Sequence, residues 1–130
     1  MPFDLAASFV EAAERELGSP LPAAYVAAMR LSNGGEIDAL DDDWQQYPIA
    51  DTSDRKRLSR TANHLISETA SLQQWRTFPA GALAIAGNGS GDQLIFLRDG
   101  ERLTDAVHHW CHETGAVTRI ADDFAGLSRA

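Results

Sequence analysis

The stretch LAIAGNGSGDQLIFL, at residues 83–97, decides the fold of this chain. It consists of an apolar run at Leu83–Ala86, a glycine-rich segment at Gly87–Asp92 and a second apolar run at Gln93–Leu97. Short apolar runs bounded by turn residues are typical of buried strands, and glycine adopts the positive φ angles that tight turns require. The pattern therefore predicts two strands joined by a turn.

The glycine-rich segment superficially resembles a phosphate-binding loop. A dinucleotide-binding loop needs a helix directly after its glycines, and a P-loop needs a lysine and a hydroxyl residue there. Here a strand is predicted instead, and the charge of Asp92 would repel a phosphate. We therefore predict a structural turn, in which the Asp92 carboxylate accepts hydrogen bonds from N–H groups of the turn rather than binding a metal.

The chain after residue 97 predicts an antiparallel sheet closed by a short helix. Asp99-Gly100 is a hairpin signal, and strands at Val107–Glu113 and Val117–Ile120 are expected to pair with each other. Asp122 or Asp123 is expected to cap the closing helix, because an aspartate oxygen accepts hydrogen bonds from the first N–H groups of a helix.

The chain before residue 36 predicts two helices. Asp4 is expected to cap the first, which runs to about Leu17 and ends at Gly18. The second opens at Leu21-Pro22, because proline fits the first turn of a helix, and Asn33-Gly34-Gly35 ends it.

The middle of the chain is mixed. Glu36–Ile49 predicts one or two short strands around an exposed acidic loop at Asp41–Asp43, and a third helix is expected within Ser53–Gln74. A loop is the alternative to a helix for the stretch Asp51–Arg57. The order of elements predicts one α+β domain over residues 1–130, with a mixed, mainly antiparallel sheet and flanking helices.

The charge of the chain restricts the class of partner. Its 130 residues carry a formal net charge of -8, which repels duplex nucleic acid and favours association with a basic protein. Simple solubility is the other interpretation of this acidity. The basic cluster is small, at Arg55–Arg57 and Arg60. A lone cysteine, no visible signal peptide and no long apolar stretch favour a cytoplasmic protein that does not enter a membrane.

The run His108–Glu113 crowds together residue types that bind metals. Trp110 favours a strand, on which His109 and Cys111 would share one face with Glu113. A small metal-dependent enzyme using His109, Cys111 and His112 is therefore an alternative. No second ligand cluster is obvious in the sequence, so sheet packing is the preferred interpretation, with no catalytic residue, metal or cofactor.

Four segments in order resemble the SUKH (SMI1/KNR4-like) superfamily. They are Leu21–Tyr25 leading to Asn33–Gly35, Leu83–Ala86 with Gly89–Asp92, Val107–Glu113, and Ile120–Leu127. The structural motif residues that carry the resemblance are Pro22, Tyr25, Asn33, Gly34, Gly35, Gly89, Gly91, Asp92, Trp110, Glu113 and Phe124. The resemblance implies an α+β fold without catalytic residues. It also implies, for many bacterial members, an immunity protein that neutralises a toxin, often a nuclease, and for others a regulatory scaffold.

Together these observations predict a cytoplasmic immunity protein that occludes a basic protein toxin. No nucleic acid, membrane or small-molecule substrate is expected as a partner. The candidate partner-binding residues form an acidic face: Glu36, Asp38, Asp41, Asp42, Asp43, Trp44 and Asp92. Trp44, if exposed beside the acidic run, would be a natural hot spot. A regulatory protein-binding scaffold of the same fold is the alternative.

Overall fold

A seven-stranded sheet organises residues 3–129, the part of the chain that the computed structural model describes. Its strands are β1 Glu36–Ala39, β2 Asp42–Gln46, β3 Leu83–Gly87, β4 Gln93–Asp99, β5 Arg102–Trp110, β6 Val117–Ala121 and β7 Ser128–Arg129. Their order is β6-β5-β4-β3-β2-β1-β7, and every pairing among these described strands is antiparallel. The predicted α+β fold is confirmed. Residues 1, 2 and 130 of the predicted domain lie outside the described part.

The first two helices lie at the positions that the sequence predicts. The helices of the chain are α1 Ala7–Leu17, α2 Ala23–Leu31, α3 Arg55–Arg60, α4 Leu65–Leu72 and a 3₁₀ turn at Phe124–Gly126. Gly18 ends α1 with a φ of 70°. The prediction that Asp4 caps α1 is wrong: the N-cap is Ala6, and the Asp4 carboxylate accepts from Arg57 Nη2 at 3.1 Å. This long-range ion pair takes Asp4 away from the helix.

The segment after α2 ties that helix to the sheet. Asn33 is buried, and its side chain donates to the carbonyl of Ile49 at 2.8 Å and accepts from the N–H of Ile49 at 2.9 Å. Gly34 and Gly35 follow with φ angles of 119° and 92°, which favour glycine. The Asn-Gly-Gly segment therefore ends α2 and also fixes the chain as it leaves β2.

The third predicted helix is divided into two, α3 and α4. Thr61 follows α3, and its buried hydroxyl accepts from the N–H of Asp51 at 3.0 Å. His64 then caps α4, with Nδ1 accepting from the N–H of Ser67 at 3.3 Å. The contact with Asp51 breaks the helix because it fixes the chain between the two pieces.

The strand predicted at Val107–Glu113 ends early, at Trp110. The N–H of Cys111 donates to Ala116 at 2.9 Å and the N–H of Gly115 donates back to Cys111 at 2.7 Å, which closes a tight turn. Asp123 caps the 3₁₀ turn as predicted, although the closing helix is a single turn that stops before Leu127. Strand β7, which pairs with β1, was not predicted.

The two faces of the sheet are covered unequally. The first face carries the larger core, where the α2 residue Tyr25 packs edge-on against Phe96 at 5.3 Å and Phe124 at 5.0 Å. The second face carries a smaller cluster of Phe78, Ala82, Ala84, Ile95 and Trp110. Side chains alternate between faces along a strand, so the second face also receives Glu36 and Asp38 of β1 together with Asp43 and Gln45 of β2.

Candidate partner-binding site

The β1–β2 hairpin presents the acidic residues. Leu40 and Asp41 form its two-residue turn with φ angles of 54° and 57°, the left-handed geometry of a type I′ turn. Asp38 lies directly opposite Asp43, and Glu36 lies opposite Gln45, so these four side chains share one face of the hairpin. We call Glu36, Asp38 and Asp43 the acidic strip; all three residues are exposed.

The acidic strip holds like charges close together. The hydrogen bond with Asp38, together with the negative charge of that residue, raises the pKa of Asp43 above its usual value. Glu36 accepts a hydrogen bond from Gln45 Nε2 at 2.7 Å. An open groove of about 440 Å³ runs along Asp38–Asp43. A cation placed over the strip would relieve the repulsion between the Asp38 and Asp43 carboxylates.

Asp42 projects to the opposite side of the hairpin from the acidic strip. Its Oδ2 accepts from the Asn88 amide at 3.0 Å, and its Oδ1 accepts from the N–H of Asp43 at 2.9 Å. Asn88 belongs to the glycine turn between β3 and β4. This contact therefore links the acidic hairpin to the glycine turn.

Trp44 is buried, so the condition on which it was expected to be a hot spot, exposure beside the acidic run, is not met. Only 1% of Trp44 is exposed. Its indole N–H donates to the carbonyl of Ala39 at 2.9 Å, and its ring packs edge-on against His109 at 5.8 Å. Trp44 lies opposite Ile37, and both belong to the main core, so the alternation of β2 places Asp43 and Gln45 on the second face.

Asp92 is enclosed by two imidazoles and does not join the acidic strip, which corrects its predicted place in an acidic face. Its carboxylate lies 2.9 Å from His109 Nε2 and 2.6 Å from His112 Nδ1, and it accepts from the N–H of His112 at 3.1 Å. An ionised carboxylate only accepts, so both ring nitrogens must carry hydrogen. Burial alone raises the pKa of Asp92, but the hydrogen bonds from His112 and His109 outweigh it and hold that pKa below its usual value.

The glycine turn is shaped by this arrangement, which we call the Asp92 clamp. Gly91 has a φ of 113°, and a Cβ at that position would lie 2.9 Å from the His112 ring. Gly89 has a φ of 84° with open space around it. The prediction that Asp92 bonds N–H groups of its own turn is wrong in detail, because the backbone donor is His112, in the turn after β5.

The histidine and cysteine run does not form a metal site in the described structure. His109 and His112 converge on Asp92, while the hydrogen bond with Thr114 and two neighbouring backbone contacts lower the pKa of the Cys111 thiol. Glu113 lies in the turn and is exposed. Among residues 3–129, no group of three His, Cys, Asp or Glu side chains is placed to hold a metal ion. The contacts are those of a structural clamp.

Trp75 is the exposed aromatic residue that the sequence did not single out. It is 49% exposed, and its ring packs edge-on against Trp110 and His112, each at 6.0 Å between centroids. Trp110 itself is fully buried, and its indole N–H donates to Thr77 at 3.1 Å. The polar pair Gln73-Gln74 directly before Trp75 was an available signal that this tryptophan lies at the surface.

Nearly the whole chain matches the model of a known family. The family model described as the SMI1 / KNR4 family (SUKH-1) matches residues 5–128. The chain belongs to this family. Comparison with curated proteins gives no match. The SUKH-1 match includes the predicted motif residues: Pro22 at the start of α2, Asn33 and the glycines after it, the glycine turn, and the buried Tyr25, Trp110 and Phe124. None of the helices described for this SUKH-1 chain has the length and apolar character to cross a bilayer.

Proposed function

We propose that this SUKH-1 chain is a cytoplasmic immunity protein that binds a toxin with a basic surface and neutralises it by occlusion. The observation that carries the proposal is the acidic strip, in which exposed carboxylates share one face of the β1–β2 hairpin. Membership of the SUKH-1 family adds the expectation that the chain acts by binding another protein.

Electrostatics favours a basic protein as the partner. The chain has a formal net charge of -8, and the acidic strip adds a local concentration of negative charge. Complementary charge raises the rate of association by steering, and a lysine or arginine over Asp38 and Asp43 would relieve their mutual repulsion. Rapid capture suits an inhibitor that has to block a toxin before it acts.

The basic cluster on α3 supports a protein partner over a nucleic acid. Arg57, at its centre, lies within 3.1 Å of Asp4, 3.2 Å of Asp51 and 3.7 Å of Asp54. These carboxylates neutralise the guanidinium. A duplex would therefore meet a weakened positive surface beside a strongly negative molecule.

The proposal is tested by co-expressing the chain with the toxin encoded beside its gene. We expect the wild-type chain to restore growth and to co-purify with the toxin in a stable complex. The variant Asp38→Lys/Asp43→Lys tests the acidic strip: it should fold normally and protect less than the wild-type chain. If the wild-type chain neither protects nor binds, the immunity function is excluded.

A further inference from the structure

Two exposed apolar residues flank the same buried side chain on the second face. Val117 lies directly opposite Trp110 across the β5–β6 pair, so both side chains point to that face. Trp75 packs against Trp110 from the segment between α4 and β3. Trp75 is 49% exposed and Val117 is 39% exposed. We call these two residues the tryptophan patch.

The exposed ring of Trp75 is held in place before any partner arrives. Its contacts with Trp110 and His112 are both edge-on, with interplanar angles of 80° and 88°. Trp110 is fully buried, and the Asp92 clamp fixes His112. A large aromatic side chain that is already ordered loses little conformational freedom on binding, which is a property of interface hot spots.

The tryptophan patch and the acidic strip lie on one face of the sheet. Trp44 points into the main core, so Asp43 points to the second face. Tyr47, two residues beyond Gln45, lies on the same side of the sheet, and its hydroxyl donates to the side chain of Gln93. Gln93 in turn lies opposite Trp110. This chain of neighbours runs from the strip to the patch.

The two surfaces also lie at the same end of the sheet and within one footprint. The β1–β2 turn, the glycine turn and the turn after β5 meet there, joined by the Asn88–Asp42 contact and the Asp92 clamp. Strands β1 and β6, the outermost strands that contribute to the two surfaces, are five spacings apart, about 24 Å at 4.8 Å per spacing. A standard interface covers about 800 Å² on each partner, which is enough to include both surfaces.

We propose that Trp75 is the apolar anchor of the toxin interface and that the interface runs from the acidic strip to the tryptophan patch. The partner then presents an apolar pocket for the indole beside a row of lysine or arginine side chains that meets the strip. This inference rests on the proposed immunity function. It replaces Trp44, which is buried, by Trp75 as the aromatic hot spot.

The test measures the affinity of Trp75→Ala for the inactivated toxin encoded beside the gene, by calorimetry. We expect binding to weaken about 30-fold or more, as for the truncation of a hot-spot side chain. The matched control is Leu31→Ala at the end of α2, since Leu31 is 81% exposed and lies outside both surfaces. It should bind within twofold of wild type. Trp75→Phe retains a ring on Trp110 and should recover part of the affinity.

The outcomes separate the two proposals. If the wild-type chain binds and Trp75→Ala binds equally well, the anchor is excluded and the immunity function stands. If the wild-type chain does not bind, both are excluded. If Trp75→Ala unfolds, Trp75→Phe decides, because it keeps a ring packed on Trp110. An affinity of Trp75→Phe equal to wild type, together with unchanged acrylamide quenching of Trp75 when the wild-type chain binds the toxin, overturns the anchor.

Discussion

Asp43 and Asp92 are aspartates at the same end of the sheet, but their surroundings are opposite in kind. Asp43 is exposed opposite Asp38, whose hydrogen bond and charge raise its pKa. Asp92 is 18% exposed between two imidazoles; burial raises its pKa, but their hydrogen bonds prevail and lower it. The Asp43 carboxylate is repelled by that of Asp38 and is exposed to a partner. The Asp92 carboxylate is satisfied within the chain, so acidity alone does not define a binding surface.

The largest effect is expected from removing the Asp92 carboxylate. Asp92→Ala leaves the N–H groups of His109 and His112 without their acceptor and should lower the free energy of unfolding by about 3 kcal/mol. Urea denaturation measures this loss. Asp43→Ala is the control and should not destabilise the protein. Equal losses of stability in the two variants would contradict the claim that Asp92 stabilises the fold and Asp43 does not.

The pH dependence of stability should follow Asp92. Its folded pKa is lowered, so its contribution is fully present above the pKa of an unfolded aspartate, about 3.9. The contribution is lost as the pH falls through the still lower folded pKa. Wild-type protein should therefore lose more stability than Asp92→Asn between pH 5 and pH 2, as measured by urea denaturation. Parallel curves for the two proteins would contradict this assignment.

Gly91→Ala should have a smaller effect, because it disturbs the clamp from the turn side. The substitution places an L-residue at a φ of 113° and a Cβ 2.9 Å from the His112 ring. Gly89→Ala is the matched control, with a φ of 84° and no neighbour within 4 Å. Both variants carry backbone strain of at least about 1–2 kcal/mol, and Gly91→Ala adds the clash with His112, so its loss of stability should be clearly the larger. Equal unfolding midpoints would show that the ring moves aside freely.

The smallest effect is expected at the acidic strip, and its sign is opposite. Asp43→Asn removes a like-charge contact with Asp38 and should raise the urea midpoint slightly. Glu101→Gln removes the same charge from an exposed residue of the β4–β5 turn, outside the acidic strip, and should shift the midpoint less. The increase should shrink in high salt. A clear loss of stability in Asp43→Asn would mean that the strip serves the fold.

Local signals in the sequence predicted much of the fold. Gly18 ends α1, and Asp123 caps the 3₁₀ turn, because these features depend on neighbours within a few residues. The two strands around Gly87–Asp92 were predicted from short apolar runs. The Asp4 cap failed because the competing partner, Arg57, is 53 residues away.

The candidate site was harder to predict because exposure and pairing are tertiary properties. Trp44 follows three aspartates and is nevertheless buried, since the alternation of β2 decides its side. Asp92 contacts His109 and His112, which lie 17 and 20 residues later in the sequence, and no spacing rule predicts these contacts. The exposure of Trp75 likewise follows from how the segment before β3 crosses the second face.

The association rate with the toxin tests most directly whether the acidic strip serves a partner. Stopped-flow mixing would compare wild type with Asp38→Lys/Asp43→Lys, and with Asp99→Lys/Glu101→Lys as a control at the opposite end of the sheet. The control makes the same change in net charge. We expect the strip variant to associate about tenfold or more slowly at low salt with a flatter salt dependence, and the control to stay close to wild type. Equal slowing in both variants would show that net charge alone acts, and would contradict a binding role for the strip.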